Sequence, residues 1–258
     1  STIKEIKILG NTSFSSRQIK SLIKSGPKYW FEVWSDKDIY NSTLLDQDIE
    51  SIRKFYQDRG FARFRLVSKQ VNLSSDKKDI FVTVSIQEGE LYKFGKITAF
   101  GLEKFDSKIF KNIISANLEP GSFFSRSSLE NTKEFIKFIL GEKGYAFPSI
   151  SYNPVFSDTT NYVDINFRVD PKKKSYVRRI NIKGNTKTND EVYRRELRQF
   201  ESSLYSENKI DRSKIRLQRL KFINTVDVKK NIVDPDSGLI DIDFILDESR
   251  SGEFKVGA

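Results

Sequence analysis

The chain contains neither cysteine nor histidine among its 258 residues. Thiol nucleophiles, disulfides, zinc centres of the usual ligand type and every histidine-based triad or general base are thereby excluded. Carboxylates, lysine, arginine and tyrosine remain, and their spacing points to binding rather than bond-making. Lys209, Arg212, Arg216 and Arg219 recur at helical intervals on the side opposite Ile210, Leu217 and Leu220. They lie in the block 172–230, whose 18 basic and 7 acidic side chains supply more than the whole net charge of +10. A field of that kind selects an anionic partner (phospholipid headgroups, nucleic acid or an acidic protein) unless it is a solvated lysine-rich surface. Arg194, Arg198 and Glu201 follow steps of four and three that predict one shared helix face. The carboxylates of Asp234-Pro-Asp-Ser-Gly238 make too short a run for a calcium loop and read as a hairpin turn. Asp241 and Asp243 alternate with Ile240 and Ile242, which reads as the solvent face of a strand. No Gly-x-Gly phosphate loop joins a strand to a helix. The residues favour a non-enzymatic protein with no catalytic residue, no cofactor and no metal site.

The elements that must carry these residues come in three copies. Ile3-Lys-Glu-Ile-Lys-Ile-Leu-Gly10-Asn11, Phe94-Gly-Lys-Ile-Thr-Ala-Phe-Gly101-Leu102 and Val177-Arg-Arg-Ile-Asn-Ile-Lys-Gly184-Asn185 each alternate apolar with polar and stop at glycine, as a half-buried strand does. Their glycines are 91 and 83 residues apart, a small-domain period too long for a solenoid. A short helix follows each, with Ser15 or Ser16, Asp106, and Asn189 or Asp190 as N-caps. A longer helix comes next, its apolar face marked by Leu45, Ile49, Ile52 and Tyr56, then by Leu129, Ile136 and Ile139 or Leu140, then by Ile210, Leu217 and Leu220. Glycine ends the first two long helices, at Arg59-Gly60-Phe61 and Lys143-Gly144-Tyr145, whereas the third has Leu220-Lys221-Phe222. Each repeat closes with a hairpin, predicted at 63–73 and 79–87, 150–156 and 161–169, and 226–233 and 239–246. The expected fold is therefore α+β: three tandem β-α-α-β-β domains, each a three-stranded mixed sheet with two helices on one face. No apolar run approaches the ~18 to 20 residues of a membrane helix. The absence of methionine, even at position 1, reads as an internal or processed piece of a longer chain.

This unit, with its strand-Gly-Asn opening and its helix ending in Arg-Gly-Phe or Lys-Gly-Tyr followed by alanine, resembles the POTRA domain, the polypeptide-transport-associated module. Over its full length the chain is similar to the last three of the five POTRA domains of outer-membrane β-barrel assembly proteins. The resemblance is carried by Tyr56-Gln-Asp-Arg-Gly-Phe-Ala-Arg-Phe64, Asp76-Lys-Lys-Asp-Ile-Phe-Val-Thr-Val84, Gly144-Tyr-Ala-Phe-Pro148 and Tyr193-Arg-Arg-Glu-Leu-Arg-Gln-Phe-Glu201. A POTRA region of another transporter is the nearest rival, and the Tyr193–Glu201 stretch argues against it. The implied domains are 1–91, 92–171 and 172–249, with 250–258 as the start of a truncated barrel. The resemblance implies a periplasmic scaffold, attached to the outer membrane through a C-terminal barrel missing from this fragment. It docks accessory lipoproteins and guides unfolded outer-membrane proteins. It further implies that Val67, Val71 and Leu73, on an edge strand, meet a β-propeller (BamB-like) lipoprotein. Arg194, Arg198 and Glu201 would meet a helical-repeat (BamD-like) one. A domain placed next to a barrel would bring Lys209, Arg212, Arg216 and Arg219 near anionic lipid headgroups. No nucleic-acid partner is expected, since the aromatic strand motif of an RNA-binding sheet is absent. The segment Gly26–Asn41 holds Tyr29, Trp30, Phe31, Trp34 and Tyr40, read as a roof over the first small core, with an exposed aromatic patch as the alternative.

Overall fold

A computed structural model describes residues 2–27, 39–157 and 159–249. The first repeat runs β1 (Thr2–Leu9), α1 (Ser16–Lys20), α2 (Ser42–Gln57), β2 (Arg65–Leu73) and β3 (Asp79–Gln87). The second runs β4 (Lys93–Phe100), α3 (Ser107–Asn117), α4 (Arg126–Glu142), β5 (Ser149–Phe156) and β6 (Tyr162–Asp170). The third runs β7 (Tyr176–Lys183), α5 (Asp190–Arg194), β8 (Ser203–Leu204), α6 (Glu207–Gln218), β9 (Ile223–Asp234) and β10 (Leu239–Glu248). The strand orders are β1-β3-β2, β4-β6-β5 and β8-β7-β10-β9. In the outer two repeats the opening strand lies parallel to the closing one, and the hairpin partner lies antiparallel at the far edge. The third sheet thus has a fourth strand, β8, where three were expected. By packing, the chain divides into two compact units, 1–98 with 111–132 and 152–166, and 99–110 with 133–151 and 167–258.

The first core shows why these residues form these elements. Ile80, Val82, Val84 and Ile86 alternate along β3 and bury against Leu45, Ile49, Ile52 and Tyr56 of α2. A bulge between Ile3 and Glu5 lets Ile3, Ile6 and Ile8 all reach the same core despite their uneven spacing. Ser15 starts α1 with a capping box to Gln18, and Asn41 caps α2. The glycine that ends each opening strand is required by the close approach of the closing strand. Gly10, Gly101 and Gly184 have φ of +85 to +89°, and a Cβ built there would stand 1.8–2.1 Å from the carbonyl oxygen of Ile86, Val169 or Leu246.

Candidate interaction surfaces

One edge of the first sheet is β2, which pairs with β3 on one side only, and β1 is the other. Its partners are Leu66↔Ile86, Ser68↔Ser85, Lys69↔Val84, Val71↔Val82 and Leu73↔Ile80. Directly opposed residues share a face, so Val71 and Leu73 lie on the helix-bearing side with the core residues Val82 and Ile80. They are still 38% and 50% exposed. Val67 is the extra residue of a bulge between Leu66 and Ser68, which places it with Ser68 opposite Ser85 on the other face, 64% exposed. The expected continuous strip of Val67, Val71 and Leu73 is therefore split over two faces. Lys69 reaches back to Asp46 of α2 at 2.5 Å, which anchors the edge between them.

Arg194 and Glu201 come together, but not as neighbours on a helix. α5 stops at Arg194 with Arg195 as C-cap, because the Arg198 N–H turns to Ser213 Oγ of α6 at 2.8 Å instead of continuing the helical ladder. Arg198 folds back on its own loop and donates to the Leu197 carbonyl at 3.0 Å. The helical spacing of the three residues is thus corrected. Sheet geometry brings the pair together instead: Glu201 Oε1 accepts from the Ile180 N–H at 2.8 Å, and Arg194 Nη2 donates to the Ile180 carbonyl at 3.0 Å. The Ile180 N–H and carbonyl, beyond the reach of β8, are so satisfied. The two side chains stand 3.6 Å apart and remain 43% and 45% exposed. Phe200, beside them in the chain, is 63% exposed. A half-exposed ion pair next to a bare aromatic ring suits protein recognition.

α6 buries Ile210, Ser213 and Leu217. Lys209, Arg212 and Arg219 are exposed, and among the described residues none of them forms an ion pair. Arg216 differs, since its Nη2 holds Glu196 at 2.6 Å and ties α6 to the loop after α5. The open part of the basic face is therefore three residues, with Ile215, 47% exposed, beside them on the helix.

Other charged groups serve the fold. Asp241 and Asp243 lie on the face of β10 opposite the core residues Ile240 and Ile242, as the alternation predicts, but side chains of neighbouring strands cover them, leaving 14% and 7% exposed. Arg178 grips Asp241 with two bonds of 2.9 and 2.6 Å and holds its carboxyl below the usual range. Asp243 is buried and accepts from Lys183, Asn181 and Asn231. Glu88 and Glu248 went unread in the sequence. Glu88 directly follows β3 and Glu248 is the last residue of β10, and each gathers the loop after the strand-ending glycine. Glu88 accepts from Thr12, Ser13 and Tyr56, and Glu248 from Thr186, Lys187, Thr188 and Tyr193. The available signal was a glutamate two residues after the last core residue of the first and third closing strands, Ile86 and Leu246, with Tyr56 and Tyr193 on helices of the same repeats. Tyr40 packs half-buried on the first core, whereas Tyr29, Trp30, Phe31 and Trp34 lie outside the described residues, as do 250–258. Among the described residues no His, Cys, Asp or Glu side chains cluster as a metal site, and no helix is long and apolar enough to cross a membrane.

Comparison with known proteins matches the threefold repeat along the whole chain. The POTRA family, described as surface antigen variable number repeat, matches at residues 1–89, 92–172 and 175–249. The outer membrane protein assembly factor BamA of Buchnera aphidicola is 30% identical over 256 residues, covering 99% of this chain and 41% of its own. That of Neisseria meningitidis is 29% identical over 260 residues, covering 99% and 32%. The chain thus spans 41% and 32% of the length of these two curated relatives. The crystal structure of Haemophilus influenzae BamA POTRA3-5 superposes with a TM-score of 0.84 at 25% identity, covering 96% of both chains. The three sheets with their paired helices, the strand-ending glycines and the matches over the whole length agree: the chain belongs to the POTRA family.

Proposed function

We propose that the chain is the periplasmic scaffold part of a machine that assembles β-barrel proteins into the outer membrane, with no catalysis of its own. Domains 1–91, 92–171 and 172–249 would present docking surfaces for accessory lipoproteins and for unfolded barrel proteins on their way to a membrane-embedded barrel. The observation that carries this reading is the full-length match, in order, to BamA POTRA3-5. Within it, the Arg194–Glu201 pair with exposed Phe200 is the contact for a helical-repeat (BamD-like) lipoprotein. The open β2 edge, with Val71 and Leu73 on one face and Val67 on the other, is the contact for a β-propeller (BamB-like) one. Main-chain pairing along such an edge supplies affinity while alternate side chains supply selectivity. Lys209, Arg212 and Arg219 are the surface that meets anionic headgroups.

The test is affinity capture from a detergent-solubilised cell-envelope extract, with the chain and its Glu201→Lys form as paired baits. Capture of a helical-repeat lipoprotein by the unaltered chain alone is the expected result. Capture by both baits moves the contact away from Glu201. Retention of no envelope lipoprotein by either bait overturns the scaffold reading.

A further inference from the structure

Asp58 and Glu142 stand two residues before the glycines that follow α2 and α4, in Asp58-Arg-Gly-Phe61 and Glu142-Lys-Gly-Tyr145. In the first compact unit, Asp58 Oδ1 accepts from the Ser127 N–H at 2.7 Å and Oδ2 from Ser127 Oγ at 2.6 Å. In the second, Glu142 Oε1 accepts from the Asn208 N–H at 2.6 Å and from Ser206 Oγ at 2.9 Å. Ser127 and Asn208 hold the same place, the second residue of the long helix of the following repeat. In both helices the serine before the first turn takes the next amide: Ser125 accepts from Ser128 at 3.2 Å and Ser206 from Lys209 at 3.3 Å. A helix N-terminus leaves four amides without partners and favours negative charge. Here the local serine satisfies one amide and the preceding repeat satisfies another.

Two further details repeat. The Gly60 carbonyl accepts from Tyr92 N–H at 2.8 Å, and the Gly144 carbonyl from Ser175 N–H at 2.7 Å. A Cβ on these glycines would stand 2.9 Å from Leu91 and 2.6 Å from Leu204. Arg126 strengthens the first contact by reaching Glu50 at 2.5 Å and Gln57 at 3.2 Å on α2.

We propose that this is one joint used twice: a carboxylate at the end of one repeat's long helix caps the start of the next repeat's long helix and holds the angle between neighbours. Displacement of one repeat then passes into the next through a capped helix rather than being absorbed by the linker. The third repeat has Arg219 and Lys221 where the first two have the carboxylate and the glycine, three and one residues before Phe222. Its helix end has neither the charge nor the clearance to make this contact.

The absence of cysteine lets spin-label pairs be placed cleanly. Asn72→Cys with Thr160→Cys reads the first joint, and Lys104→Cys with Ser237→Cys the second. Asp58→Ala should broaden the distance distribution of the first pair and leave the second unchanged, and Glu142→Ala should do the reverse. Amide exchange at Ser127 should quicken about tenfold in Asp58→Ala, with Ile136 still protected as proof that α4 remains folded. Asp58→Asn, which keeps an acceptor oxygen, should lie between the two. If Asp58→Ala unfolds α4, the Asp58→Asn distribution decides the question by the same criterion. A distribution as narrow as that of the unaltered chain, in either deciding variant, overturns the proposal.

Discussion

Glu88 shows how one side chain organises a repeat. Burial works to raise its carboxyl, but hydrogen bonds from Thr12, Ser13 and Tyr56 outweigh that and bring it down to about 2. Tyr56, pressed by burial and by the Glu88 charge, titrates far above the usual tyrosine range. The sign follows directly. The folded value lies below the ordinary one of 4.5, so the stabilisation is complete above that ordinary value and is lost as pH falls from there toward 2. The backbone amides of Val82 and Val84, buried in the core of the first repeat, report its unfolding by hydrogen exchange. In urea at neutral pH, Glu88→Gln should lower that repeat's stability by roughly 1–3 kcal/mol, and the difference should shrink toward zero near pH 2. Glycine supplies a second test at this scale. Gly184 and Gly121 share a left-handed φ, but only Gly184 faces a carbonyl, 2.0 Å from a built Cβ, whereas Gly121 has nothing within 4 Å. Gly184→Ala should lower the melting temperature of the third repeat clearly more than Gly121→Ala lowers that of the second, as read by calorimetry.

At the scale of elements, the edge strand and the basic helix carry the separable predictions. The β2 bulge puts Val71 and Leu73 on one face and Val67 on the other. A partner that pairs with this edge from the helix side should therefore respond to Val71→Asp and Leu73→Asp and tolerate Val67→Asp. Capture of a β-propeller lipoprotein by each single variant measures this, with the first repeat's unfolding free energy, read by amide exchange, shifting by no more than about 0.5 kcal/mol for such exposed sites. On α6, Arg212 and Arg219 are free of ion pairs among the described residues, whereas Arg216 is held by Glu196. Arg212→Glu with Arg219→Glu should abolish the preference for anionic over neutral vesicles in co-sedimentation at low salt, each charge contributing about 1 kcal/mol near the surface. Arg216→Ala should instead loosen the loop after α5 and cost stability. Equal binding of the unaltered chain to neutral and anionic vesicles would remove the lipid surface from the function.

At the scale of the whole molecule, three repeats share the β-α-α-β-β plan, the third with β8 added, and differ in what they expose. Each sheet ends in its hairpin partner β2, β5 or β9, the first edge carrying exposed Val67, Val71 and Leu73, while the third repeat adds an ion pair, a bare phenylalanine and a basic helix. The repeat itself was legible in the residues, because alternation, helical spacing and strand-ending glycines are local patterns that packing then reinforces. The hairpins, the long helices and the hairpin turn at Asp234–Gly238 follow from those patterns within a few residues. What the order of residues left open depends on contacts far apart in the chain. Val67 changed faces because a bulge against β3 shifts the alternation by one, and Arg198 left the expected helix because Ser213, 15 residues on, captures its amide. Asp243 became buried because a parallel strand 60 residues away brings Lys183 over it. The sequence alone determined the strands and helices of the repeat and that they form three times, since each needs only its own hydrophobic pattern and caps, whereas β8 forms only by pairing with β7. Tertiary structure alone decided which charges are anchored and which are free to bind, since a charge's partner is set by which strand or helix lies beside it.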